Sequence, residues 1–202
     1  YRELGFAHLQ STDKTPLQQQ LDYWREYLAW GIPGGKHAIA QRALDWLQAN
    51  QPRDEPTVLC WGDARLGNII FRESLHEVAA LLDWEMATLG DPLMDLGNSL
   101  AYWVEADDDP FFQSLRRQPT HLEGMLTRDE VVQYYLTKTD IKCQDFSFYK
   151  IYGLFRLAAI VQQLYYRYFH GQTKDERFAE FVSAGKYLEQ RCLGLITRQG
   201  NA

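Results

Sequence analysis

Leu17, Leu21, Trp24 and Leu28 recur one helical turn apart, and Thr15-Pro16 just ahead of them is a helix-start signal. Pro33-Gly34-Gly35 predicts the end of that helix. A second helix follows, with Ile39, Ala43, Trp46 and Leu47 on one face. Asn50-Gln51-Pro52 ends it, because proline cannot continue the backbone ladder. The period then shortens. Val58-Leu59-Cys60, Ile69-Ile70-Phe71 and Val78-Ala79-Ala80-Leu81-Leu82 are brief apolar runs bounded by Gly, Asn and Asp, the pattern of buried strands. The last two, joined by a polar loop, predict a hairpin. Helical spacing returns at Asp91-Pro92, an N-cap with proline in the first turn, and runs to about Trp103. Thr127-Arg128-Asp129-Glu130 reads as a capping box opening another helix. Asp145 starts a long helix carrying Phe148, Ile151, Phe155, Ala158, Gln162 and Tyr165, and Gly171 stops it. Thr173-Lys174-Asp175-Glu176 reads as a second capping box, before a last helix that turns Phe178, Phe181, Val182, Gly185 and Leu188 inward. The expected fold is α+β and mostly helical, with one small strand-rich zone.

Composition adds boundaries. The chain has 202 residues, 46% apolar and 24% charged, values of an ordinary folded domain. Aromatics reach 14%, which supplies a substantial core. No repeat or low-complexity segment divides it, so one domain is expected: a helical lead-in over 1–56, a central segment over 57–96 and a helical subdomain over 97–202. The net charge of −6 disfavours non-specific nucleic-acid binding. Cys60, Cys143 and Cys192 are odd in number and far apart, so reduced thiols in a cytoplasmic protein are expected rather than a disulfide framework or a zinc site. No run reaches the ~18 apolar residues of a membrane span. The chain opens on Tyr1 without a signal region, as a fragment would. Asp107, Asp108 and Asp109 read as a solvated loop, and His8, His37, His76, His121 and His170 as surface residues without ligand spacing. Arg156, set among apolar neighbours, reads as a satisfied core group or a snorkelling one.

The chemistry concentrates in Trp61-Gly62-Asp63-Ala64-Arg65-Leu66-Gly67-Asn68, Leu82-Asp83-Trp84-Glu85 and Gly90-Asp91-Pro92 with Asp95. Asp63 follows a strand and a glycine, a place where a carboxylate projects from a rigid base. Asn68 opens one strand of the expected hairpin and Asp83 closes the other, so pairing would bring their ends together near Asp63. Two carboxylates and a carboxamide form an oxygen-only set suited to Mg²⁺. Arg65 adds a fixed cation able to hold phosphate oxygens. Each Asp or Asn taken singly is more often a turn former; their joint spacing argues against that reading.

That spacing resembles the catalytic loop of protein kinases, D-x-x-x-x-N, in Asp63 to Asn68. The fuller pattern, G-D-x-R-x-G-N, then L-D-W-E, then G-D-P-x-x-D-L, resembles the aminoglycoside phosphotransferase and choline kinase-like family. Within it, the pattern is most similar to the branch of kinase-like domains attached to acyl-CoA-dehydrogenase-like proteins. The resemblance implies a protein-kinase-like C-terminal lobe with a β-hairpin region at the catalytic loop. It implies an ATP-dependent phosphotransferase acting on a small-molecule hydroxyl, with Mg²⁺ as cofactor. Asp63 would be the catalytic base and Arg65 would steady the transferred phosphate. Asn68 and Asp83 would bind Mg²⁺. Ile70 and Leu82 would line the floor of the adenine pocket. Asp95 would hold the catalytic loop by its backbone amides, and Asp91 would cap the helix that orients it. Tyr102 and Trp103, which follow the motif helix, are candidates for lining the acceptor pocket, with core packing the equal or better reading. Two departures stand out. Trp61 occupies a place where the family usually has His, a scaffold change. No Gly-rich loop, strand lysine or partner glutamate precedes the motifs, so the ATP-gripping N-terminal lobe is expected to be absent. The rival expectation is a non-catalytic kinase-like module that binds a ligand or partner. The acceptor stays open among aminoglycosides, choline-like alcohols, sugars, homoserine and hydroxyacyl thioesters.

Overall fold

The computed structural model describes residues 2–3, 5–10, 13–31, 38–53 and 56–200. The helix from Thr15-Pro16 forms as expected, α1 (Pro16–Gly31), and α2 (Ala38–Ala49) follows it. The proposed stop at Pro33-Gly34-Gly35 lies outside the described residues. Four short strands come next: β1 (Val58–Cys60), β2 (Ile69–Phe71), β3 (Val78–Leu81) and β4 (Thr88–Gly90). The remainder is helical: α3 (Pro92–Ala101), α4 (Pro110–Ser114), α5 (Arg128–Thr139), α6 (Ser147–Phe169) and α7 (Phe181–Gly200).

Helix α6 is the axis of the molecule. It is apolar on nearly every side, and Ile151, Tyr152, Phe155 and Ala159 are buried, because α1, α2, α3 and α7 all pack on it. The α3–α6 crossing is especially close, and two glycines allow it. A Cβ on Gly153 would stand 2.1 Å from the Gly97 carbonyl oxygen, and one on Gly97 would stand 2.4 Å from that of Tyr149. Backbone therefore packs on backbone, and α3, which carries the site's supporting carboxylates, is fixed against the core.

The strands form two antiparallel pairs. β2 and β3 make the expected hairpin, Ile69 opposite Leu81 and Ile70 opposite Ala80. β1 pairs with β4, Val58 opposite Gly90 and Cys60 opposite Thr88. β4 escaped the sequence reading, because Thr88-Leu89-Gly90 is too short to show a period and its partner lies far back in the chain. The expectation of buried strands fails for the hairpin. Ile70, Phe71 and Val78 are 47%, 41% and 52% exposed, since no second layer among the described residues covers this pair.

Other details sharpen or correct the pattern. The capping box at Thr127 and Glu130 is present, and Gly171, at φ +68°, ends the long helix. At the second expected box, Asp175 instead caps a short 3₁₀ turn over Glu176–Glu180, and α7 begins afresh at Phe181. The acidic run is not simply solvated. Asp108 accepts from Arg128 at 2.6 and 2.9 Å and from Arg191 at 2.8 Å. Burial opposes ionisation there, but these donors outweigh it and hold the carboxyl below its ordinary range. Asp109 caps α4, and Asp107 is exposed. His8, His76 and His170 are exposed as expected, His121 is half-buried, and His37 lies outside the described residues. Cys60 and Cys192 are buried free thiols. No helix among the described residues is long and apolar enough to cross a membrane.

Candidate active site

Strand β1 delivers the chain into a loop that turns sharply at Gly62, whose φ is +85°. A Cβ there would meet the Met86 carbonyl oxygen at 2.0 Å, so only glycine fits. Beyond the turn, Asp63 and Asn68 close the loop on themselves. Asn68 Nδ2 donates to the Asp63 carbonyl at 3.0 Å and to Asp63 Oδ2 at 2.7 Å. Arg65 Nε donates to the same Oδ2 at 3.0 Å, and its guanidinium lies 5.6 Å from the Tyr102 ring centroid. The Asp63 carboxylate is thus held from two sides and keeps one oxygen outside this pair of bonds.

Four side chains from distant segments hold the loop's backbone. Asp95, on α3, accepts from the Trp61 and Gly62 amides at 2.5 and 2.9 Å. Burial raises its pKa, opposed by those amides and by Arg156. Ser99 Oγ, one turn further along α3, donates to the Ala64 carbonyl. Gln118 Oε1 accepts from the Leu66 amide at 2.8 Å. Arg156, on α6, donates to the Gly62 carbonyl at 2.5 Å and lies over the Trp24 ring at 4.8 Å. It is 2% exposed, a satisfied core cation as expected. The other three do not stand out in sequence except Asp95, because serine and glutamine carry no spacing signal and their partners are far off along the chain. Asp91 caps α3 through the Leu93 amide at 2.8 Å and accepts from the Tyr149 hydroxyl; burial raises its pKa.

The hairpin brings the remaining candidates alongside. The Leu82 amide donates to the Asn68 carbonyl at 2.8 Å, so Asp83 follows directly at the end of the strand beside Asn68. Asp83 is exposed, adopts a left-handed backbone (φ 56°, ψ 60°) and makes no capping bond. Trp61 Nε1 donates to the Leu82 carbonyl at 2.7 Å. Ile70 and Leu82 present exposed apolar surface next to these groups. With the Asn68 amide nitrogen committed to Asp63, its side-chain oxygen and the Asp83 carboxylate are the oxygen groups that could hold a metal here. Two protein oxygens, with no third acidic or His/Cys ligand clustered among the described residues, fit Mg²⁺, which is commonly bound by one or two protein groups plus phosphates and water.

A cavity of about 330 Å³ opens at Asp63 and Arg65. Tyr102 is in its wall, and Val104, Phe112, Ile160 and Leu188 make it apolar, with Arg117 also lining it. Trp103 does not line it; its indole N–H donates to the Leu126 carbonyl at 2.9 Å.

The chain is similar to known proteins in sequence and in fold. A sequence model of the phosphotransferase enzyme family matches residues 1–130. The chain is 39% identical over 162 residues to acyl-CoA dehydrogenase family member 10 of Mus musculus, covering 79% of this chain and 15% of that protein. It is 29% identical over 163 residues to acyl-CoA dehydrogenase family member 11 of Homo sapiens, covering 78% of this chain and 20% of that protein. The chain therefore spans a small part of these relatives. Among solved structures, an aminoglycoside phosphotransferase-like protein of Ralstonia eutropha superposes with a TM-score of 0.79 at 21% identity, covering 98% of this chain and 60% of that one. The fold is kinase-like.

Proposed function

Because the chain belongs to the phosphotransferase enzyme family, we propose that it forms the catalytic and metal-binding part of an ATP-dependent phosphotransferase that acts on a hydroxyl of a small molecule. The observation that carries this reading is the Asp63 carboxylate, fixed by Asn68 and Arg65, in the lining of a largely apolar cavity. An acceptor whose hydroxyl sits on a largely apolar body suits that cavity, which is of ordinary ligand-site size.

Asp63 orients the acceptor hydroxyl and takes its proton as the oxygen attacks phosphorus. Arg65, already paired to Asp63, offers its remaining guanidinium donors to the transferred phosphoryl oxygens. Asn68 and Asp83 are the residues that would hold Mg²⁺, which neutralises phosphate charge when bound. Ile70 and Leu82 give the adenine an apolar floor. Asp95, Ser99, Gln118 and Arg156 touch neither substrate; they keep the loop from relaxing. Much of the work in phosphoryl transfer is positioning and charge stabilisation, so a loop pinned at four points is suited to it.

The test is ADP release from Mg²⁺-ATP with a panel of acceptor alcohols, using the complete protein. Asp63→Asn, nearly isosteric, is expected to lower kcat by at least about 100-fold while leaving the melting temperature close to wild type. Near-normal turnover in Asp63→Asn would sink the mechanism.

A further inference from the structure

Asp83 presents a physical problem that its own side chain does not solve. Left-handed backbone costs a residue with a Cβ some energy even when it is Asp, and the Asp83 side chain makes no capping hydrogen bond there. The restraint comes from two indoles. Trp61 Nε1 donates to the Leu82 carbonyl at 2.7 Å, just before Asp83. Trp84 Nε1, just after it, reaches back to the Leu81 carbonyl at 3.0 Å. The two rings are stacked, centroids 5.8 Å apart and 30° between planes. The Trp61 amide is in turn bonded to Asp95. A continuous path thus runs from α3 through Trp61 to the carbonyl beside Asp83, and the same Trp61 precedes Gly62 and Asp63.

We propose that Trp61 is a positioning residue: with Trp84 it clamps residues 81–84 and sets where the Asp83 carboxylate stands relative to Asn68 and Asp63. This rests on the assignment of Asp83 as a metal ligand. The indole N–H is the active part, since it is the Trp61 side-chain atom that donates to the Leu82 carbonyl beside Asp83. The stacked and partly exposed pair (Trp84 is 43% exposed) also lies where an adjoining metal–nucleotide would alter its fluorescence.

The experiment uses the complete protein and Mn²⁺-ADP as probe, with affinity read by isothermal calorimetry and by tryptophan emission. Trp61→Phe keeps the stack and removes the donor. The expected result is a Kd for Mn²⁺-ADP raised about five- to tenfold, the value of one lost hydrogen bond. In turnover, the Mg²⁺ activation constant should rise by a similar factor while the acceptor KM stays within about twofold. Trp84→Phe, at an exposed position away from the core, should weaken Mn²⁺-ADP in the same direction and reduce the emission change. If Trp61→Phe and Trp84→Phe both bind Mn²⁺-ADP as wild type does, while Asp83→Asn does not, the clamp is refuted and the metal site stands. If Asp83→Asn itself binds and turns over normally, the assignment of the site fails, and the clamp with it. Should Trp61→Phe fold poorly, the Trp84→Phe affinity decides alone.

Discussion

Gly62 carries a constraint that outlasts any choice of substrate. Its φ of +85° and the carbonyl of Met86 leave no room for a side chain. Gly62→Ala would either strain the turn or push Met86 away, at about 1–3 kcal/mol. The turn also sets the direction of Asp63, so the loss should appear twice: a melting temperature several degrees lower, and a kcat reduced by more than the stability change explains. Thermal denaturation and initial rates on the same preparation measure both. At this scale the sequence was legible where chemistry needs a particular residue type. Asp63, Asn68, Asp83 and Asp95 fall within one stretch, and their spacing carries the kinase-like resemblance. Ser99, Gln118 and Arg156 were opaque in role, because a hydrogen bond to a backbone carbonyl or amide leaves no trace in local sequence.

Among the elements, α3 and α6 bear most on the site. α3 carries both Asp95 and Ser99, while α6 carries Arg156, so the loop is held from two helices whose contact depends on Gly97 and Gly153. Gly153→Ala would place a methyl 2.1 Å from the Gly97 carbonyl oxygen. Overpacking of this kind costs about 1–3 kcal/mol, and the displaced α3 should weaken catalysis although the mutated residue lies outside the site. Denaturant midpoints and kcat test this; an unchanged midpoint would show that the helices can separate freely. Helix existence was well read from periodicity, and α1, α3, α5 and α6 begin at or within two residues of their signals. The strand zone was read less well. β4 is too short to have a period, and the exposure of the hairpin depends on what packs over it, which no local pattern records.

For the molecule as a whole, the buried charge distribution predicts a pH dependence. Glu189, on α7, is 5% exposed, and burial pushes its carboxyl up to about 7 from an ordinary 4.5, opposed by Lys186. Below the unfolded value both states hold the proton and this group does not favour unfolding. As pH rises from about 4.5 to about 7, the unfolded chain has released the proton while the folded chain still holds it, so stability falls, and the loss is complete above about 7. Burial raises Asp91 and Asp95 as well, which adds in the same direction, whereas Asp108 is lowered and acts oppositely. Melting temperatures taken at about pH 5 and about pH 8 should show Glu189→Gln losing less stability across that interval than wild type. An identical slope in the two proteins would rule Glu189 out as the source.

The sequence by itself determined the helical framework, the place of the hairpin, the family resemblance carried by the stretch from Asp63 to Asp95, and the cap at Asp91. Those features are local: a helical period, a capping residue or a motif is written in neighbouring positions. The tertiary structure decided the rest. It made Trp61 a donor to the strand of Asp83, assigned Arg156 to the Gly62 carbonyl, paired β1 with β4, left the hairpin's apolar side chains exposed, and opened an apolar cavity at Asp63. Each of these depends on which distant segments the packing of α3 on α6 brings within a hydrogen bond's reach, and that distance exists only once the chain has folded.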